Sequence, residues 1–190
     1  GHGRPDRSTM ALIPSVVDPV GSIPVVAAGG IADGRGLAAA LALGAAGATL
    51  GTRFLASREA ISSPEEARLL VERGGDDTVR TAAFDVVRGP SWPDGHDGRV
   101  LRNRLTTAFD DPDGPADEDG LRRRLAHAAA DDFSVHPVWA GEGLDLVTAI
   151  PPAAAIVESV VAEAVDRIGS VSSLLRPGGP SALADRTHGN

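Results

Sequence analysis

The sequence predicts an α/β fold with parallel strands, a (β/α)8 TIM barrel in preference to an open doubly wound sheet, carrying a smaller α+β insertion. Three observations predict it. Two short apolar runs, at residues 23–28 and 48–50, each end in a glycine turn and flank an alanine-rich helical run. That strand, loop, helix and strand fit within about thirty residues, the length of a right-handed βαβ unit, which both architectures use. The loop "GGIADG" lacks the G-x-G-x-x-G spacing of an open-sheet nucleotide site, and no acidic residue ends a following strand where a ribose would sit.

Taken in order, residues 9–20 read as a short helix. Residues 23–28 are β-branched and apolar on both faces, the profile of a strand buried on both sides. Asp33 is a candidate cap for a helix over 34–43 that ends at Gly44. The strand at 48–50 follows and closes on Gly51. From 57 to 135 the texture becomes α+β. "SSPEEARLL" starts a helix, with Ser63 as cap, Pro64 at the first position and Glu66 closing a capping box. "DDTVRTAAFDVV" and "GRVLRNRL" read as two short strands around the turn-rich "RGPSWPDGHDG". "DDPDGPADEDG" reads as an acidic linker before a helix over 121–130. The chain returns to apolar strand and glycine turn in "PVWAGEGLDLV". After Pro151-Pro152, residues Ile156, Val157, Val160, Val161, Ala164, Val165 and Ile168 form one helical stripe. Residues from 169 on read as a frayed tail.

Composition narrows the function classes. The 190 residues are 42% hydrophobic and 23% charged, the balance of a folded soluble chain. A net charge of −8 argues against a nucleic-acid backbone as partner. The absence of cysteine removes disulfides, thiolate zinc sites and cysteine nucleophiles. No apolar run is long enough to span a bilayer, and no leader is visible, so a cytoplasmic enzyme is the expectation.

The glycine loops carry the chemistry. Glycines just past a buried parallel strand let the backbone approach a ligand, and loop N–H groups with the following helix N-terminus attract anions. Gly29-Gly30 and Gly51-Thr52 would lie on neighbouring strands, with N–H groups converging on one phosphate, as in the late loops of barrels. The plainer reading is that these glycines only make tight turns. His96, His127, His136 and His188 show no metal-ligand spacing and read as surface or structural residues; no metal is expected. Arg122–Arg124 reads as a solvated face, and Trp92 and Trp139 as packing residues. Ser57 has no histidine and carboxylate placed to activate it. Arg53 reaches either the phosphate or a structural partner.

"PVVAAGGIADGRGLAAALALGAAGATLGTRFLAS" closely resembles the FMN-binding segment of nitronate monooxygenases. "RVLRNRL" and "PVWAGEGLDLV…IPPAAAIVESVVAEA" resemble the same family's inserted domain and its return to the barrel, and the opening "GHG" resembles the end of its AGGHxG motif. The resemblance covers roughly residues 1 to 168. It implies FMN as cofactor and oxidation of alkyl nitronates by O2 to carbonyl compounds and nitrite. Position by position, Gly29, Gly30, Thr49, Leu50, Gly51 and Thr52 match the phosphate loops, and His2 matches the catalytic histidine, whose pKa class suits a base at working pH. The segments present match only the family's last barrel strands. A chain opening on glycine, with its single methionine at Met10, accordingly reads as a carboxyl-terminal portion of a longer barrel. The implied units are 1–56 with the phosphate loops, 57–135 as the inserted domain, 136–168 as the return to the barrel, and 169–190 as tail. Glu142 stands where many relatives have glutamine. Flavin-dependent enoyl-acyl-carrier-protein reductases, with similar AAGGI and GTRF segments, are the alternative enzyme; a non-catalytic remnant is the alternative outside enzymes. Oligomeric state is not legible.

Overall fold

Alanine and leucine at helical spacing, a capping aspartate and two glycine stops produce the first half of the fold. In the structure, a computed structural model, residue 3 and residues 6–89, 92–93, 95–111 and 117–175 are described. Helix α1 (Thr9–Val20), strand β1 (Val26–Ala28), helix α2 (Gly34–Ala42) and strand β2 (Gly47–Thr49) follow one another. The two strands pair in parallel, with Val26 opposite Gly47 and Ala28 opposite Thr49. The βαβ unit is therefore present, and the chain is α/β. Its small core is Ile13, Ala27, Ala40 and Ala45.

Two expectations for this unit change. Strand β1 is shorter than its apolar run, with residues 23–25 outside it, and β2 lies one position earlier than the expected 48–50. Nor is β1 buried on both faces: Ala27 packs on the helices, while Val26 is 58% exposed on the other side. The helices cover only one face of β1 among the described residues. Among the described residues neither strand has a second neighbour in its sheet.

The short helix α3 (Thr52–Leu55) leads into α4 (Pro64–Glu72), whose first turn is closed by the Glu66 N–H donating to Ser63 Oγ at 3.1 Å. Strands β3 (Thr78–Thr81) and β4 (Gly98–Leu101) pair antiparallel. "AAFDVV" does not extend the first of them. It forms helix α5 (Ala83–Arg88), because Ala83, Phe84 and Val87 all reach one apolar core from a helix. "RNRL" likewise leaves the strand: Asn103 Oδ1 accepts the N–H groups of Leu105 and Thr106 and starts α6 (Arg104–Phe109). Helix α7 (Glu118–His127) begins inside the expected acidic linker, where Asp117 Oδ1 accepts the Gly120 N–H at 2.8 Å. Phe84, Val100, Leu105, Leu121 and Val135 form this region's core, with Trp139 edge-on to Phe84 at 6.2 Å.

Residues 138–140 run beside β4, Leu101 N–H donating to Val138 O and Ala140 N–H to Arg99 O. A third core joins the two halves, combining Ala32 and Ala56 with Leu70, Leu101, Val138 and Leu144. Helix α8 (Ala153–Leu174) then lies against α2 and runs on through residues assigned to the tail; 176–190 lie outside the described residues. The apolar stripe of α8 is split rather than continuous. Ile156, Val160 and Ala164 are buried, the two larger side chains contributing about 1.5–3 kcal/mol each when fully covered. Val157, Val161, Val165 and Ile168 point away and are 47–65% exposed. Among the described residues no helix is long and apolar enough to cross a membrane.

Candidate functional site

The register of β1 and β2 decides where the glycine loops lie. With Ala28 opposite Thr49, Gly29-Gly30 and Leu50-Gly51 leave the same end of the sheet side by side. Gly29 and Gly30 have φ values of +104° and +71°, which an L side chain adopts only with strain. Both are exposed, as are Thr49 and Gly51. Among the described residues the N–H groups of Gly30, Gly51 and Thr52 have no hydrogen-bond acceptor. Buried donors must be paired, whereas Gly30 and Gly51 are exposed and Thr52 only half-buried, so that their N–H groups can meet an anion.

The helix that follows the first loop does not contribute as the sequence suggested. The N-terminus of α2 is already filled by carboxylates of the protein itself. Asp33 Oδ1 accepts the N–H groups of Arg35 and Gly36 at 3.0 and 3.1 Å, and Glu163 Oε2, reaching across from α8, accepts Gly34 N–H at 3.0 Å. Burial pushes the Asp33 carboxyl up, but the Arg35 guanidinium and the two N–H groups outweigh it and hold the group below its ordinary value. An anion at this end of the sheet is therefore left to the loops.

A third glycine-bearing turn closes over the loops. Residues 142–146 form a 3-10 turn, fastened at several points. Gly141 N–H donates to Thr52 Oγ1 at 2.9 Å, Gly75 N–H donates to Asp145 Oδ2 at 3.2 Å, and Leu144 is fully buried. A Cβ on Gly143 would stand 3.1 Å from Gly30 O, so the turn rests closely on the first loop. This places Glu142 Oε1 3.8 Å from where a Cβ on Gly30 would be. Its other oxygen, Oε2, lies 3.4 Å from Arg99 Nη2, and Arg99 Nη1 donates to Thr78 Oγ1 at 3.0 Å. On the opposite flank, Thr9 Oγ1 would meet a Cβ on Gly29 at 3.2 Å.

The structure thus brings Gly29, Gly30, Thr49, Leu50, Gly51 and Thr52 together. His2 lies outside the described residues; its neighbour Gly3 is bridged antiparallel to Asp97 beside β4. Arg53 turns away from the loops. Burial pushes its guanidinium below its ordinary value, and Nη1 donates to Ala149 O at 3.0 Å. Ser57 Oγ donates to Phe54 O, a structural bond. His127 Nδ1 contacts Arg123 O within its own helix, and His136 Nε2 is buried with no partner among the described residues. Among the described residues no group of three His, Asp or Glu side chains is arranged to hold a metal ion. A cavity of about 540 Å³ opens elsewhere, between α4 and residues 131–134, and none of the glycine-loop residues line it. Sequence reasoning gave no role to Arg99, Glu142 or Asp145. One signal was available: Gly141-Glu142-Gly143 repeats the pattern of an apolar strand ending in glycines, with a charge set between them.

The profile of the nitronate monooxygenase family matches residues 1–163. A nitronate monooxygenase of Metarhizium robertsii is 50% identical over 111 residues, which is 55% of this chain and 31% of that protein. Among solved structures, FabK from Thermotoga maritima superposes with a TM-score of 0.72 at 32% identity, over 92% of this chain and 54% of that one. A nitroalkane oxidase from Streptomyces ansochromogenes superposes with a TM-score of 0.67 at 32% identity, over 86% of this chain and 45% of that one. The chain spans about half the length, or less, of these relatives. On the profile match over most of its residues, the chain belongs to the nitronate monooxygenase family.

Proposed function

We propose that this chain forms the carboxyl-side strands of an FMN-dependent (β/α)8 oxidoreductase that oxidises alkyl nitronates with O2 to carbonyl compounds and nitrite. One observation carries the reading: the parallel register sets two glycine loops side by side, with N–H groups unpaired among the described residues. These residues fit the phosphate end of FMN. Gly30, Gly51 and Thr52 offer donors, and Gly29 and Gly30 present backbone with no side chain between it and the ligand. FMN, when bound, supplies the redox chemistry between nitronate and O2. The chain's part is to hold the phosphate through Gly29, Gly30 and residues 49–52. His2 is the candidate for contacting the nitronate's nitro group, or for acting as base toward the α-carbon where the neutral nitroalkane is the substrate. Residues 1–56 and 136–168 would be barrel, 57–135 the insertion, and 169–190 largely outside the catalytic fold, in a cytoplasmic protein. Val26 and the outward stripe of α8 support the barrel, because both present aliphatic surface that further β/α units would cover.

Adding FMN to the purified chain tests the binding half, and bound flavin should show as quenched fluorescence and a yellow protein. Nitrite release from propyl nitronate under air tests the reaction, with the chain joined to or mixed with the β/α units that its relatives carry. Oxidation of NAD(P)H by an enoyl thioester, with no nitrite from the nitronate, would transfer the assignment to the enoyl reductases. A soluble, colourless chain that binds no added FMN would leave the remnant reading.

A further inference from the structure

We propose that Glu142 is a flavin-positioning residue, accepting a hydroxyl of the ribityl chain next to the FMN phosphate, and that Arg99 of the inserted region holds its carboxylate in place. The inference rests on the FMN reading above. It starts from a mismatch of charge. A carboxylate has acceptors and no donors, and it lies within reach of Gly30 beside loops suited to a phosphate. Two anions do not share a contact, so a ligand bound there must offer Glu142 something other than its phosphate. In FMN the groups adjoining the phosphate are the ribityl hydroxyls, which are donors.

The placement of Glu142 is built rather than incidental. Its turn is tied to α3 through Thr52 and to residue 75 through Asp145, and it is anchored in the core by Leu144. Glycine at 143 allows that turn to rest on Gly30 O. One carboxylate oxygen is engaged by Arg99, itself fixed by Thr78, which leaves Oε1 turned toward the glycine loop. The backbone that carries Glu142 is thus fixed before a ligand arrives. A glutamine at this position would keep the acceptor, since its amide oxygen also accepts.

FMN titration of the whole chain, followed by fluorescence quenching, tests the proposal with Glu142→Ala, Glu142→Gln and the double variant Glu142→Ala/Arg99→Met. Glu142→Ala should weaken FMN about tenfold, the loss of one hydrogen bond to a charged acceptor, and Glu142→Gln should recover most of it. Adding Arg99→Met to Glu142→Ala should cost nothing further. The thermal shift produced by inorganic phosphate should not fall in either single variant, since neither removes a phosphate donor and both remove a neighbouring negative charge. Because Glu142 is solvent-exposed, melting of the two ligand-free single variants should match wild type. An unchanged FMN affinity in Glu142→Ala would overturn the proposal. So would tighter FMN binding in both single variants, which would mean charge repulsion instead, or an equal loss in the glutamine variant. Failure of wild type to bind FMN at all would reject the FMN reading itself.

Discussion

Two glycines separate two kinds of backbone demand. Gly30 sits at φ +71° with nothing nearer than Glu142 Oε1 at 3.8 Å, so an alanine there has room but the wrong conformation. Gly34 has ordinary dihedrals and no room, because a Cβ would overlap Glu163 Cβ and stand 2.6 Å from Val160 O. Gly30→Ala should therefore cost about 1–2 kcal/mol in urea unfolding and weaken FMN binding as well. Gly34→Ala should cost at least as much, about 1–3 kcal/mol, by pushing α8 off α2. Its effect on FMN should follow only from lost stability. Equal effects of the two on ligand affinity, after correction for folding, would contradict the assignment of Gly30 to the loop site.

At the scale of elements, the beginning of α2 is the most informative. Asp33 was legible as a cap because capping depends on residues two and three positions on, and its oxygen does accept Arg35 and Gly36 N–H. Removing it in Asp33→Ala should destabilise the chain by about 1 kcal/mol near neutral pH. The sign with pH follows from its depressed carboxyl. The contribution is fully present above the unfolded value near about pH 4 and is lost as pH falls through the lower folded value. Denaturant curves should show wild type and Asp33→Ala converging below about pH 4. Glu163 was not legible, because it reaches Gly34 N–H from 129 positions away. The same limit explains α5: Val86 and Val87 favour a strand locally, and the shared core with Phe84 and Val100 decides for helix.

For the whole molecule, the outward aliphatic row of α8 distinguishes the chain as it stands from the barrel it is proposed to complete. Val161 is 51% exposed, so Val161→Glu should change the chain's own stability by no more than about 0.5 kcal/mol. The same substitution should block complementation by added β/α units, read as loss of their co-sedimentation with the chain. A large loss of stability in Val161→Glu would mean that this face is already packed.

The sequence by itself determined the local grammar of this protein. It set the βαβ unit, the glycine stops of both strands, the Asp33 and Ser63 caps, and the segments that mark the family. Each of these depends on neighbours within a few positions, where steric limits and backbone hydrogen bonds act directly. Tertiary structure decided which face of α8 is buried, that the start of α2 is closed to an anion by Glu163, and that Glu142 comes to lie beside Gly30. Those outcomes depend on contacts between segments far apart in the chain, and only folding brings the partners into range.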